Sequence, residues 1–162
     1  MVKWRKLSLL RLVIVAAIPA LALALALAMP ARAVEFTNDG LIAADEVVDD
    51  DLFISTETVV VDGTVNGDLF INSSTATING TVNGNLISNN ASLTLNGAVN
   101  GSLAFAGQAA AIRGTVTGSI YAFSTSLELE EGAKVGRNLY IFGFSLETNP
   151  GSSIGRDLLA TG

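Results

Sequence analysis

The stretch from Val61 to Leu139 repeats one short phrase, and the step between copies limits what the chain can fold into. Asp62-Gly-Thr-Val-Asn-Gly-Asp-Leu69 returns as Asn79-Gly-Thr-Val-Asn-Gly-Asn-Leu86. It returns again as Asn96-Gly-Ala-Val-Asn-Gly-Ser-Leu103 and as Arg113-Gly-Thr-Val-Thr-Gly-Ser-Ile120. The closing residues Leu69, Leu86, Leu103 and Ile120 are 17 positions apart. Looser copies, Val135-Gly-Arg-Asn-Leu139 and Ile154-Gly-Arg-Asp-Leu158, continue the series at a step of 19. A degenerate copy, Val48-Asp-Asp-Asp-Leu52, ends 17 positions before Leu69. A fixed period of this size marks a repeat architecture, in which each unit stacks on the next.

Within a repeat the pattern is that of a strand. Ala76, Ile78, Gly80, Val82, Gly84 and Leu86 occupy every second position, with Thr77, Asn79, Thr81, Asn83 and Asn85 between them. Such alternation buries one face of an extended chain. Thr, Val, Asn and Gly dominate, which disfavours helix. Two glycine columns (Gly63, Gly80, Gly97, Gly114 and Gly67, Gly84, Gly101, Gly118) punctuate the repeat, and glycine permits the backbone of a tight corner. An odd period also requires one break of phase per repeat, expected at Asn72-Ser-Ser74 and Ser88-Asn-Asn90. The expected fold is all-β. It is a single-stranded, right-handed parallel β-helix (a β-solenoid) of about seven coils, with 17–19 residues per coil stacked at about 4.8 Å. A right hand is expected by analogy with the chirality of parallel crossovers, and nothing in the sequence itself fixes it.

Residues 1–33 read as a secretory signal peptide or an N-terminal membrane anchor. Lys3, Arg5, Lys6 and Arg11 precede an apolar run from Leu12 to Met29, and Ala31-Arg32-Ala33 has the small-x-small form of a cleavage site. Cleavage is expected after Ala33, so the repeats are expected outside the cytoplasm: periplasmic, on the cell surface or extracellular. Residues 34–45 are expected to be a leader that covers or extends past the open edge of the first coil, and residues 46–162 the solenoid. Beyond residue 33 the chain holds four basic residues against fifteen acids, a formal net charge of −11. That argues against nucleic acid as a partner. Ten of the acids lie between Glu35 and Asp68, and none between Phe70 and Leu127. Sequence order is axial order in a solenoid, so one end is strongly acidic.

Several features invite a functional reading. Asp45, Glu46, Asp49, Asp50 and Asp51 place five carboxylates within seven residues. They are weak calcium candidates, or a charged cap that blocks unwanted pairing at an edge. The column Asn66, Asn83, Asn100, Thr117 offers an uncharged polar face for carbohydrate or ice, or an amide ladder between stacked strands. Phe105, Tyr121, Phe123, Tyr140, Phe142 and Phe144 enrich the later coils, with Ala104, Ala106 and Gly107 expected as their small inner neighbours. The rings are expected to fill bulkier cores in wider 19-residue coils, some of them facing outward as a contact surface. Gly162 follows Leu158 by four residues, so the last coil is incomplete and an open end is expected to need covering by another copy or by further chain.

Other chemistry is missing from the sequence. The chain has no histidine and no cysteine, which removes the usual general base, the thiol nucleophile and disulfides. No phosphate-binding loop is present, and no cofactor is implied. Sugar-cleaving carboxylate pairs would have to come from acids that cluster at one end.

The repeated Gly-Thr-Val-Asn-Gly-Asp-Leu units resemble those of the bactofilin family of polymer-forming bacterial cytoskeletal proteins. Gly63 to Leu69, Gly80 to Leu86, Gly97 to Leu103 and Gly114 to Ile120 match the family's Gly-x-Val/Ile-x-Gly-Asp/Asn-Leu/Ile pattern in succession, and the likeness runs over about residues 46–162. The resemblance implies a right-handed β-helix that assembles end to end without nucleotide and carries no catalytic residues. Typical members are cytoplasmic, and the export signal departs from that. The leading expectation is therefore a non-enzymatic structural protein that self-associates through its ends, with itself as partner and membrane or cell-wall components as further contacts. The contact residues are expected to be Val48, Leu52 and Ile54 at one end and Ile154, Leu158 and Leu159 at the other. The alternative is a secreted carbohydrate-binding or carbohydrate-active β-helix working through its uncharged Asn/Thr face, Asn83 and Asn100 included, or through a few of the acids.

Overall fold

A computed structural model describes residues 35–37 and 39–162 of the chain. The signal segment and its cleavage point lie outside the described residues. Every regular element among those described is a strand, so no helix there is long and apolar enough to cross a membrane. In chain order they are β1 (Glu35–Thr37), β2 (Leu41–Ile42), β3 (Val47–Val48), β4 (Leu52–Ser55), β5 (Thr58–Val61) and β6 (Thr64–Val65). Then come β7 (Leu69–Ile78), β8 (Thr81–Val82), β9 (Leu86–Leu95), β10 (Ala98–Val99), β11 (Leu103–Ile112) and β12 (Thr115–Val116). The series closes with β13 (Ile120–Leu129), β14 (Lys134–Val135), β15 (Leu139–Phe142), β16 (Ser145–Thr148), β17 (Ser153–Ile154) and β18 (Leu158–Thr161).

All pairing is parallel and joins equivalent positions of successive repeats. The larger sheet runs β1-β4-β7-β9-β11-β13-β15-β18 and the smaller β17-β14-β12-β10-β8-β6-β3, about seven turns of a β-solenoid. Leu69 lies opposite Leu86, and Leu86 opposite Leu103, at the 17-residue step. The step becomes 19 where Ile120 meets Leu139 and Leu139 meets Leu158.

The core is a set of columns along the axis. One runs Leu52, Leu69, Leu86, Leu103, Ile120, Leu139, and another Val48, Val65, Val82, Val99, Val116, Val135, all buried. Burying such a side chain stabilises by about 1.5–3 kcal/mol, and only stacking buries it, because each coil shields the inner face of its neighbour. A further column changes size along its length: Ile71, Ser88, Phe105, Ala122, Ile141. The ring of Phe105 is buried between the small Ser88 and Ala122, so volume is conserved over three coils rather than within one.

Four expectations need correction. The phase break falls at Ser74–Thr75 and Ala91–Ser92, where two consecutive residues face out. Ser88 and Asn90 instead stay in phase, buried, with the Ser88 hydroxyl donating to Asn90 Oδ1 at 3.0 Å. The repeated glycines do not adopt left-handed backbone; among the described residues only Gly40, Gly132 and Gly151 have positive φ. A Cβ at Gly80, Gly97 or Gly114 would instead run into backbone atoms of the preceding coil, closer than 3.0 Å. The 19-residue coils are not wider around bulkier cores. Their extra residues form exposed turns, Glu131-Gly132 and Pro150-Gly151, with φ of 78° at Gly132 and 79° at Gly151. Finally, residues 35–42 do cover the open edge of the first coil, as expected, but as strands of the solenoid itself rather than as a leader before it: β1 and β2 form an additional coil, with Glu35 opposite Leu52 and Leu41 opposite Val60.

Candidate functional site

At the N-terminal end, this additional coil changes what is available. Val48, Leu52 and Ile54 are buried core residues, 6%, 1% and 0% exposed, and β1 pairs along β4. They are not surface contacts. The edge that remains on this side is β1, β2 and β3, with Leu41 and Val47 more than half exposed.

The acidic run beside that edge does not converge on a cation. Among the described residues no three carboxylates come together to hold a metal ion. The side chains act on the backbone instead. Asp50 Oδ1 accepts from the Asp51 N–H at 2.9 Å, Asp51 Oδ1 from the Asp68 N–H at 2.8 Å, and Glu46 Oε2 from the Ala43 N–H at 3.2 Å. Asp49 Oδ1 accepts from the Asn66 amide at 2.5 Å. Asp45 is exposed on the turn before β3.

The Asp51–Asp68 bond is the first rung of a ladder that explains the residue before each leucine. Asp68 Oδ1 accepts the Asn85 N–H at 2.7 Å, Asn85 Oδ1 the Ser102 N–H at 2.9 Å, and Ser102 Oγ the Ser119 N–H at 3.2 Å. Ser119 Oγ and Asn138 Oδ1 carry it on to Asn138 and Asp157 at 3.3 and 3.2 Å. Asp, Asn and Ser are interchangeable here because each places an oxygen where the next coil's N–H points. Sequence reasoning missed this column. Its signal was visible: in the four 17-residue repeats the one residue between the second glycine and the closing Leu or Ile is a short acceptor, Asp68, Asn85, Ser102 or Ser119.

Two further ladders lie on the outer surface. Asn83 donates its amide to Asn66 Oδ1, and Asn100 to Asn83 Oδ1, both at 2.7 Å. The Thr117 hydroxyl closes this series on the Asn100 carbonyl. Asn79 donates to Asp62 and Asn96 to Asn79 at 2.6 Å each, and Arg113 donates to Asn96 at 3.3 Å. Arg113 also pairs with Glu130 at 2.5 Å, and that hydrogen bond and charge raise the guanidinium above its ordinary pKa. The Asn column thus spends amide donors on its own neighbours along the axis.

The C-terminal end is different in kind. Ile154 is half-buried and packs against the core, while every residue of β18 is exposed, Leu158 and Leu159 by about half. β17 and β18 are the last strands of the two sheets.

The aromatic residues also depart from expectation. Phe105 alone enters the core. Tyr121, Phe123, Phe142 and Phe144 are exposed and Tyr140 half-buried, while Ala104 and Ala106 point outward rather than inward. The rings stack along the axis: Tyr121 on Tyr140 with centroids 5.2 Å apart, and Phe123 on Phe142 at 5.0 Å. Next to them, over Ala104 and Ala106, lies an apolar cleft of about 160 Å³.

No family model, no curated protein and no solved structure matches this chain.

Proposed function

We propose that this protein is a non-enzymatic scaffold that self-associates through the ends of its β-solenoid into nucleotide-independent polymers, outside the cytoplasm at the cell envelope. The observation that carries the reading is the C-terminal edge. β18 offers unpaired backbone groups alongside the exposed Leu158 and Leu159. A regular, apolar strand edge is a template for another strand, and here the register of the whole sheet is already set for continuation. The bactofilin-like Gly-Thr-Val-Asn-Gly-Asp-Leu array supports the same reading, as does the absence of histidine and cysteine from the sequence. The basic start and apolar run of residues 1–33 support export.

Charge decides which end associates first. Ten of the fifteen acids lie between Glu35 and Asp68, so two N-terminal ends repel one another unless cations screen them. The C-terminal coils carry Lys134, Arg137 and Arg156 against five acids, Glu128, Glu130, Glu131, Glu147 and Asp157, half the number at the other end. Contact therefore begins at the C-terminal end.

The test is negative-stain microscopy of the full chain, without nucleotide and with or without calcium. Filaments are expected in both conditions. The double variant Leu158→Lys, Leu159→Lys is expected to leave short or single particles, because it places two charges on the contact edge. Filaments that persist unchanged in that variant would refute the end contact. Filaments that need calcium would give the Asp45–Asp51 run a binding role.

A further inference from the structure

The stacked rings leave one place empty. Along this outward face the column reads Phe53, Phe70, Ile87, Ala104, Tyr121, Tyr140. Rings or a branched chain occupy every coil except that of Ala104. The neighbouring column has the same gap: Asn89, then Ala106, then Phe123 and Phe142. Coils stack at about 4.8 Å, so the rows on either side of the alanines stand roughly 10 Å apart. Side chains fill half their own thickness on each side, which leaves a slot one side-chain layer wide. One wall is formed by the open faces of Tyr121 and Phe123, the other by Ile87 and Asn89, and the floor is alanine. The lining is almost wholly apolar.

The same chain carries a ring with no place of its own. Phe144 follows Gly143 at the corner between β15 and β16 and is 86% exposed, the most exposed large apolar residue described. It stands two coils from the slot, in the coil of Phe142, and lines a separate cleft beside Phe123 and Phe142, so it does not fill the slot of its own chain.

We propose that a second copy of this chain fills it: two solenoids lie side by side, and Phe144 of each inserts between Ile87 and Tyr121 of the other. A two-fold axis swaps a knob and a hole that sit on one face, so both contacts form at once. Electrostatics favour a copy of the same chain at this face and nowhere near the acidic end. The chain is net −6, yet no charged residue lies between Asp68 and Arg113, and Arg113 is neutralised by Glu130. Two copies meet there without like charges in contact. The inserted ring stacks on an aromatic face, and such pairs add to the burial of their area. This lateral contact is separate from the end contact and would pair polymers side by side.

The experiment uses the full chain in mild detergent, in the Leu158→Lys, Leu159→Lys background, with mass measured by sedimentation. That parent is expected to dimerise. Ala104→Phe fills the slot by continuing the Tyr121–Tyr140 stack, and Phe144→Ser removes the knob. Each is expected to weaken the dimer at least tenfold. Thermal melting checks folding: Ala104→Phe should melt no lower than the parent. Should it melt lower, Phe144→Ser, at an exposed corner, decides alone. A parent that stays monomeric at roughly 100 µM, well above the micromolar range of a specific contact, would overturn the proposal. So would Phe144→Ser dimerising as its parent does. If the parent still forms filaments, the end contact is what fails. The lateral proposal is then scored on micrographs, paired filaments becoming single in both slot variants, and unchanged pairing would overturn it.

Discussion

Gly97→Ala separates two reasons for the same residue. If the glycine served a left-handed corner, Asn would be tolerated better than Ala, because its short polar side chain visits that region. If it serves close stacking, any Cβ fails. The structure supports stacking: a Cβ on Gly97 would sit 2.5 Å from the Asn79 carbonyl oxygen, 2.7 Å from its carbon, and closer still to the Gly80 oxygen. These are backbone atoms, so they cannot rotate away. Relief requires the coils to part, which lengthens the bonds Gly97 N–H to Ile78 O and Ala98 N–H to Gly80 O, each 3.0 Å. Overpacking costs about 1–3 kcal/mol, and weakening these bonds adds about 1 kcal/mol. The expected loss is therefore about 2–4 kcal/mol, or roughly 5–15 °C in melting temperature for a domain of this size. The comparison is Gly132, where φ is 78° and nothing stands within 4 Å of an added Cβ. There Ala should cost about 1–2 kcal/mol and Asn clearly less. Thermal and denaturant unfolding followed by circular dichroism reads all four variants. Gly97→Asn proving milder than Gly97→Ala, or Gly97→Ala costing under about 1 kcal/mol, would refute the stacking argument.

Two further substitutions probe the ladders and the core. Asn85→Ala leaves the Ser102 N–H without its acceptor and should cost about 1 kcal/mol, whereas Asn85→Ser, which keeps an oxygen as Ser102 itself does, should cost less than half of that. Equal losses in urea unfolding would show that the oxygen is not what the column needs. Leu103→Ala opens a hole beneath fully buried neighbours in the middle of the stack and should cost about 2–5 kcal/mol. A cost below that range would mean that adjacent coils close over the gap.

Much of the fold was legible because repetition does the work of long-range information. A 17-residue step of leucines already says which residue lies beside which, and Leu69 does lie beside Leu86 and Leu86 beside Leu103. Leu158 also lies where the 19-residue step puts it, beside Leu139. Val48, Leu52 and Ile54 were misplaced for a related reason. The coil that covers them, residues 35–42, lacks the Gly-x-Val-x-Gly phrase, so its pattern was silent although Ile42 enters the core and both strands pair in register.

The sequence by itself determined the architecture: strand, parallel stacking, register, an acidic end and the absence of histidine and cysteine chemistry. Period and alternation suffice for these, because a stacked coil repeats its environment every turn. Only the tertiary structure decided matters that depend on the direction of a side chain at a corner or on the distance between coils. It turned the glycines from corner residues into contact residues, because their constraint comes from a carbonyl 17 positions away. It placed the break of alternation in β11 at Gln108–Ala109, so Phe105 stays in phase with Leu103 in the core and Ala104 and Ala106 face outward. It joined Asp, Asn and Ser into a single ladder, because an oxygen within reach of the next coil's N–H is a property of position and not of residue name.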